Sequence, residues 1–172
     1  AGIKSYWESP DKRHVIFNCD CLSLLPTLPK VDAVITDPPY GVGLGTTAGA
    51  GGGHGLKRAA YESRDDSYAN FVASVVPRLN AYIGAASRAC VFTGPHIHEQ
   101  RKPDAIGGVY CPAASGRHQW GFKSFLPALL YGTAPDLHKG SKQTAIRSTE
   151  TSDDNGHPCP KPDGWMRWAV DL

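Results

Sequence analysis

The residues with the clearest chemical purpose are Asp37, Pro38, Pro39 and Tyr40, which follow the apolar run "DAVIT" and precede Gly41. Pro39 fixes its own φ near −65° and pushes Pro38 into an extended conformation, so the backbone carbonyls of the turn are held in a rigid frame. An acidic oxygen and a fixed carbonyl together can grip an NH2 group. Tyr40 adds a flat face on which a planar ring can stack. The pattern therefore predicts a clamp for an amine carried on a flat ring, at the end of a buried strand. The plainer alternative is a strand that ends in a proline turn.

Such a clamp suits one difficult reaction. The exocyclic amine of adenine or cytosine is a poor nucleophile because its lone pair is conjugated into the ring. Two acceptors pulling on its hydrogens favour a pyramidal nitrogen that can attack. A base inside a duplex is out of reach, so the site would have to hold a nucleotide flipped from the stack.

The elements that must position this turn are legible as an α/β pattern. "HVIFN" (14–18) reads as a strand closing on Asp20, and "CLSLLPTLPK" as a short helical turn broken by Pro26 and Pro29. "DAVITD" reads as a strand covered on both faces. Strand, short helix and strand in this order predict a βαβ unit. From Asp66, a plausible N-cap, the residues Tyr68, Phe71, Val72, Val75, Val76 and Leu79 recur at helical spacing, with Pro77 bending or ending the helix. "ACVFTG", "GGVYCP" and "PALLYG" read as three later strands, and the alternation predicts an α/β fold with a mostly parallel sheet. At the carboxyl end Asp163 can cap a helix on which Trp165, Trp168, Ala169 and Leu172 share a face.

Composition narrows the class. The 172 residues are 41% hydrophobic and 20% charged, enough for a single domain, 1–172, with a core. A net charge of +2 tolerates a polyanionic partner without demanding one. Five cysteines without paired spacing speak against a disulfide scaffold and for a reducing, cytoplasmic setting; no apolar run is long enough for a membrane helix. Residues 41–60 read as a flexible glycine-rich loop, and "GLGTTA" within it lacks the strand and helix that a dinucleotide fingerprint requires. Residues 133–156 read as a polar loop with no basic excess. His96 and His98 alone are too few for a metal site, so none is expected.

"HVIFNCDCLSLLPTLPKVDAVITDPPYG" resembles the amino end of the permuted class of S-adenosylmethionine-dependent DNA amino-methyltransferases, whose catalytic motif is Asp-Pro-Pro-Tyr. "QWGFKSFLPALLYG" is similar to the intervening stretch, and "HPCPKPDGWMRWAV" to the family's His-Pro-x-x-Lys-Pro segment and the helix after it. The resemblance implies an incomplete Rossmann-like methyltransferase fold, because the family's glycine-containing cofactor loop would follow beyond Leu172. It implies that Asp37 and the Pro38 carbonyl hold the target amine, that Pro39 fixes the turn and that Tyr40 stacks on the base. It assigns Asp20, Cys21, Asp37, His157, Lys161 and Pro162 to the cofactor, S-adenosylmethionine. The implied partner is duplex DNA with a flipped base. An acid in the first motif position favours adenine N6 over cytosine N4. RNA or protein glutamine as substrate, or an inactive fragment, are the alternatives.

Overall fold

The computed structural model describes residues 5–43, 65–112, 117–135, 142–151 and 161–172. Strands β1 (Ser5–Glu8) and β2 (Val15–Asn18) pair only with each other, as an antiparallel hairpin. Helix α1 (Cys21–Leu24) continues as a 3-10 turn over Leu25–Thr27, where Pro26 takes a position that needs no N–H. Strand β3 (Val31–Thr36) follows. The expected βαβ unit is therefore not β2-α1-β3, since β2 never joins the sheet of β3.

Helical backbone then runs through 68–84 as α2 (Tyr68–Asn70), a π turn (Phe71–Val75) and α3 (Val76–Gly84). The widened turn lies directly before Pro77, which cannot donate a helical hydrogen bond, and the helix passes the proline without stopping. Its N-cap is Ser67, whose hydroxyl accepts from the Asn70 N–H, and not Asp66. Strand β4 (Ala86–Phe92) returns parallel to β3, so the β3-helix-β4 segment is the true crossover.

Beyond it come β5 (Ala105–Tyr110), the small hairpin β6 (Arg117–His118) and β7 (Gly121–Phe122), β8 (Phe125–Gly132), β9 (Ala145–Arg147) and α4 (Asp163–Asp171). The main sheet has the order β3-β4-β8-β5-β9. Pairs β3/β4 and β5/β9 are parallel, whereas β4/β8 and β8/β5 are antiparallel. The sheet is thus mixed, and the expectation of a mostly parallel one is corrected. One strand causes this. β8 runs against its neighbours from a central place, so it reverses two pairings at once. Among the described residues, the link from β5 to β8 carries a hairpin and no helix, which suits an antiparallel return. An apolar run marks a strand and says nothing of its direction or its place in the sheet: β3, read as covered on both faces, is the edge strand, and none of its residues is buried.

Helices cover both faces. On one, Trp165, Trp168 and Ala169 of α4 pack on Cys90, Phe92, Val109, Cys111 and Ala128. On the other, Leu79 and Ile83 of α3 pack on Ala89, Val91, Leu129 and Tyr131. The alternation along β4 and β8 is the period-two pattern of a strand buried on both sides. The shared face read for α4 is present, although Pro162 and not Asp163 occupies the N-cap position, and the Glu150 carboxylate caps the first turn from outside the helix by accepting the Gly164 N–H at 3.0 Å. The Trp168 indole N–H donates to the Gln143 carbonyl at 2.9 Å and ties α4 to the chain entering β9.

Strand β9 lies inside the segment read as a polar loop, of which 136–141 and 152–156 fall outside the described residues. Residues 44–60 of the glycine-rich loop also lie outside them, as does His157. Among the described residues no helix is long and apolar enough to cross a membrane.

Candidate active site

Because β3 and β4 are parallel and adjacent, with Thr36 opposite Val91, their carboxyl ends emerge side by side. That is where open α/β sheets place their ligands. Asp37 is the first residue past β3, and Gly94 lies just past the end of β4.

The Asp37 carboxylate meets two partners there. The Tyr40 hydroxyl donates to Oδ1 at 2.5 Å, and Lys161 Nζ donates to Oδ2 at 2.6 Å. Lys161 Nζ also stands 5.7 Å from the centroid of the Tyr40 ring, within cation–π range. The lysine side chain is only 12% exposed and that of Asp37 29%, so the pair is partly withdrawn from water. Lys161 is delivered by the packing of α4: Pro162 and Trp165 are buried immediately after it. No described group donates to the Pro38 carbonyl.

Two glycines seat the tyrosine turn. A Cβ on Gly94 would lie 2.8 Å from the Tyr40 Cβ, so the ring rests directly on bare backbone. Gly41 has φ +70° and a Cβ there would stand 2.6 Å from the Phe71 Cβ, so both conformation and space exclude a side chain. The buried Asp66 closes the turn by accepting the Gly41 N–H at 2.7 Å, while its carbonyl accepts from the Gly43 N–H, also at 2.7 Å. Sequence reasoning missed this role of Asp66. Its only local signal is the adjacent Ser67, an equally good cap that releases it.

Asp20 and Cys21 find their partners elsewhere. Asp20 caps α1 by accepting the Leu22 N–H at 3.1 Å, and its other oxygen faces Arg78 at 3.4 Å. The Tyr82 phenol is pushed up to about 12 by burial and by its hydrogen bond with Cys21. The residues assigned to the cofactor thus divide: Asp37, Lys161 and Pro162 gather at the β3 end, whereas Asp20 and Cys21 are engaged with α3.

An open cleft of about 570 Å³ lies between the β9 segment and α4, lined by Arg147, Glu150, Arg167 and Trp168 among others. Its lining includes neither Asp37, Tyr40 nor Lys161, and sets Lys142, Arg147 and Arg167 against Glu150 and Asp171. Among the described residues no group of three His, Cys, Asp or Glu is placed to hold a metal ion. Comparison with known proteins returned no match to any family model, curated protein or solved structure.

Proposed function

We propose that the chain carries the target-amine site of a Rossmann-like, S-adenosylmethionine-dependent methyltransferase that modifies a base flipped out of DNA, adenine N6 first. The supporting observation is the convergence of Asp37, Tyr40 and Lys161 beyond the carboxyl ends of β3 and β4. A local proline turn would not require a lysine from the far end of the chain.

In this reading Asp37 Oδ1 and Oδ2 each keep a second lone pair beside the bonds to Tyr40 and Lys161, so the carboxylate can still accept an N–H from the target amine. The Pro38 carbonyl accepts the other. Drawn out of conjugation, the nitrogen lone pair would be held by Asp37 and the Pro38 carbonyl for in-line methyl transfer, the chemistry that S-adenosylmethionine would supply. The surplus proton leaves the nitrogen through Asp37 to water. Lys161 and Pro162 would form the wall beside the cofactor, which supplies an electrophilic methyl group when bound.

The test is transfer of labelled methyl groups into separate samples of DNA, RNA and protein, with wild type and Asp37→Ala in parallel. The expected result is label on adenine N6 of DNA and a loss of at least about a hundredfold in the variant, the scale on which one catalytic hydrogen-bonding partner acts. Label confined to RNA or protein would overturn the substrate, and full activity of Asp37→Ala the mechanism.

A further inference from the structure

A second aromatic surface adjoins the Tyr40 seat. At the start of α2 the Tyr68 ring lies 4.8 Å from the His96 ring at an interplanar angle of 56°. His96 in turn lies 5.9 Å from Phe71, which is buried, and 6.1 Å from His98, which meets it edge-on. The stack thus runs from a buried floor through His96 to two open rims, with Tyr68 46% exposed. Tyr68 is held from its edge as well, since its hydroxyl donates to Glu99, whose carboxylate also stands 3.2 Å from His98 Nε2. An aromatic ring held against a tilted neighbour and by its hydroxyl, and still partly exposed, is preorganised to receive another flat ring at small entropic cost.

The surface is continuous with the Tyr40 turn. A Cβ on Gly41 would meet both the Phe71 side chain and, at 3.4 Å, the Tyr68 Cα. On the other side Gly94 carries the Tyr40 ring two residues before His96. Two glycines therefore separate one stacking face from the other.

We infer that Tyr68 and His96 form a second stacking platform, which holds the nucleobase next to the one gripped by Asp37 and Tyr40. A neutral base face is the occupant of choice because the Glu99 carboxylate at the rim repels a phosphate, while stacking needs only a π surface. The inference rests on the proposed reading of the Asp37 clamp and extends it to the neighbouring nucleotide.

Photo-crosslinking with a short single-stranded oligonucleotide carrying iodouracil tests both surfaces separately. Trypsin places Tyr40, Tyr68 and His96 in different peptides, 31–57, 65–78 and 89–101. The expected result is crosslinks in 31–57 and in at least one of the other two. Crosslinks in 31–57 alone would overturn the second platform and leave the clamp standing. Crosslinks in 65–78 or 89–101 alone would support the platform and overturn the clamp, and none in any peptide would overturn both. Oligonucleotide affinity at fixed salt supplies a second measure: Tyr68→Ala weakens it at least about fivefold while Tyr68→Phe, which keeps the ring, stays within about twofold. Equal affinity of wild type and Tyr68→Ala, with melting unchanged, would overturn the proposal.

Discussion

Asp20 and Asp37 invite comparison: each is an acid just past the end of a strand, and each is singled out by the same resemblance. Asp20 spends one oxygen on the N–H of Leu22, two residues on, and turns the other toward Arg78. Its local turn accounts for the first oxygen, and the second meets Arg78 loosely, 58 residues on and in an exposed setting. Asp37 instead holds Lys161 across 124 residues of sequence and Tyr40 across three. Nothing in its own turn calls for the lysine. An acid explained by the backbone beside it needs no further purpose, whereas an acid held by a remote and withdrawn lysine marks a place where the fold itself has assembled charge.

Removing the remote partner gives the largest expected effect on this contrast. Lys161→Met leaves Asp37 with Tyr40 alone and, in the proposed reading, should lower methyl transfer at least about tenfold, while the partly exposed pair contributes only about 1 kcal/mol to stability. An unchanged transfer rate would make Asp37 as local as Asp20. Next comes the seat of Tyr40: Gly94→Ala must push the ring off the backbone beyond β4, costing roughly 1–3 kcal/mol by overpacking and lowering the melting temperature and, in the proposed reading, transfer as well. A variant that melts and reacts like wild type would show that the ring has room to spare.

Asp20 should behave as a cap. Asp20→Ala is expected to cost about 1 kcal/mol in denaturant titrations, and Asp20→Asn, which caps as well, only a few tenths. A tenfold loss of cofactor affinity in Asp20→Asn, seen by calorimetry, would return Asp20 to the cofactor wall. The smallest effect lies beside it. Tyr82 titrates near 12 in the folded chain against 10.0 for a free phenol, so folding favours its neutral form. That contribution is intact below about pH 10 and is lost as pH rises toward about 12, because the unfolded chain releases the proton first. Tyr82→Phe should flatten this part of the stability profile, measured by denaturation at successive alkaline pH values.

What the sequence disclosed followed from local physics. Strands β4, β5 and β8 were legible because continuous apolar runs mark buried strands, whereas β3, read in the same way as covered on both faces, is an edge strand with no buried residue. The Trp165–Trp168–Ala169 face of α4 was legible because helical spacing repeats. The Asp37–Tyr40 turn was legible because two prolines at a strand end are a strong local constraint. The direction of β8 and the partner of β2 are decided by contacts between distant segments, on which apolar patterning is silent. Strand β9 was hidden because only Ile146 is half-buried in its three residues. Asp66 and Ser67 are neighbours of equal capping ability, so only the demand of the Gly41 N–H for an acceptor separates them. The approach of Lys161 to Asp37 leaves no periodic trace at all; its hint was the resemblance carried by "HPCPKP", which assigned both residues to one site.

The two glycine seats carry a lesson for anyone who would transplant this site. Grafting Asp-Pro-Pro-Tyr onto another parallel strand pair would copy the letters without the socket: the ring needs a bare residue on the neighbouring strand's exit and a left-handed one immediately behind it, closed by Phe71 and Asp66. The portable unit is therefore a discontinuous set of positions, 37–41, 66, 71 and 94, and a donor scaffold should be chosen by whether it can leave position 94 empty.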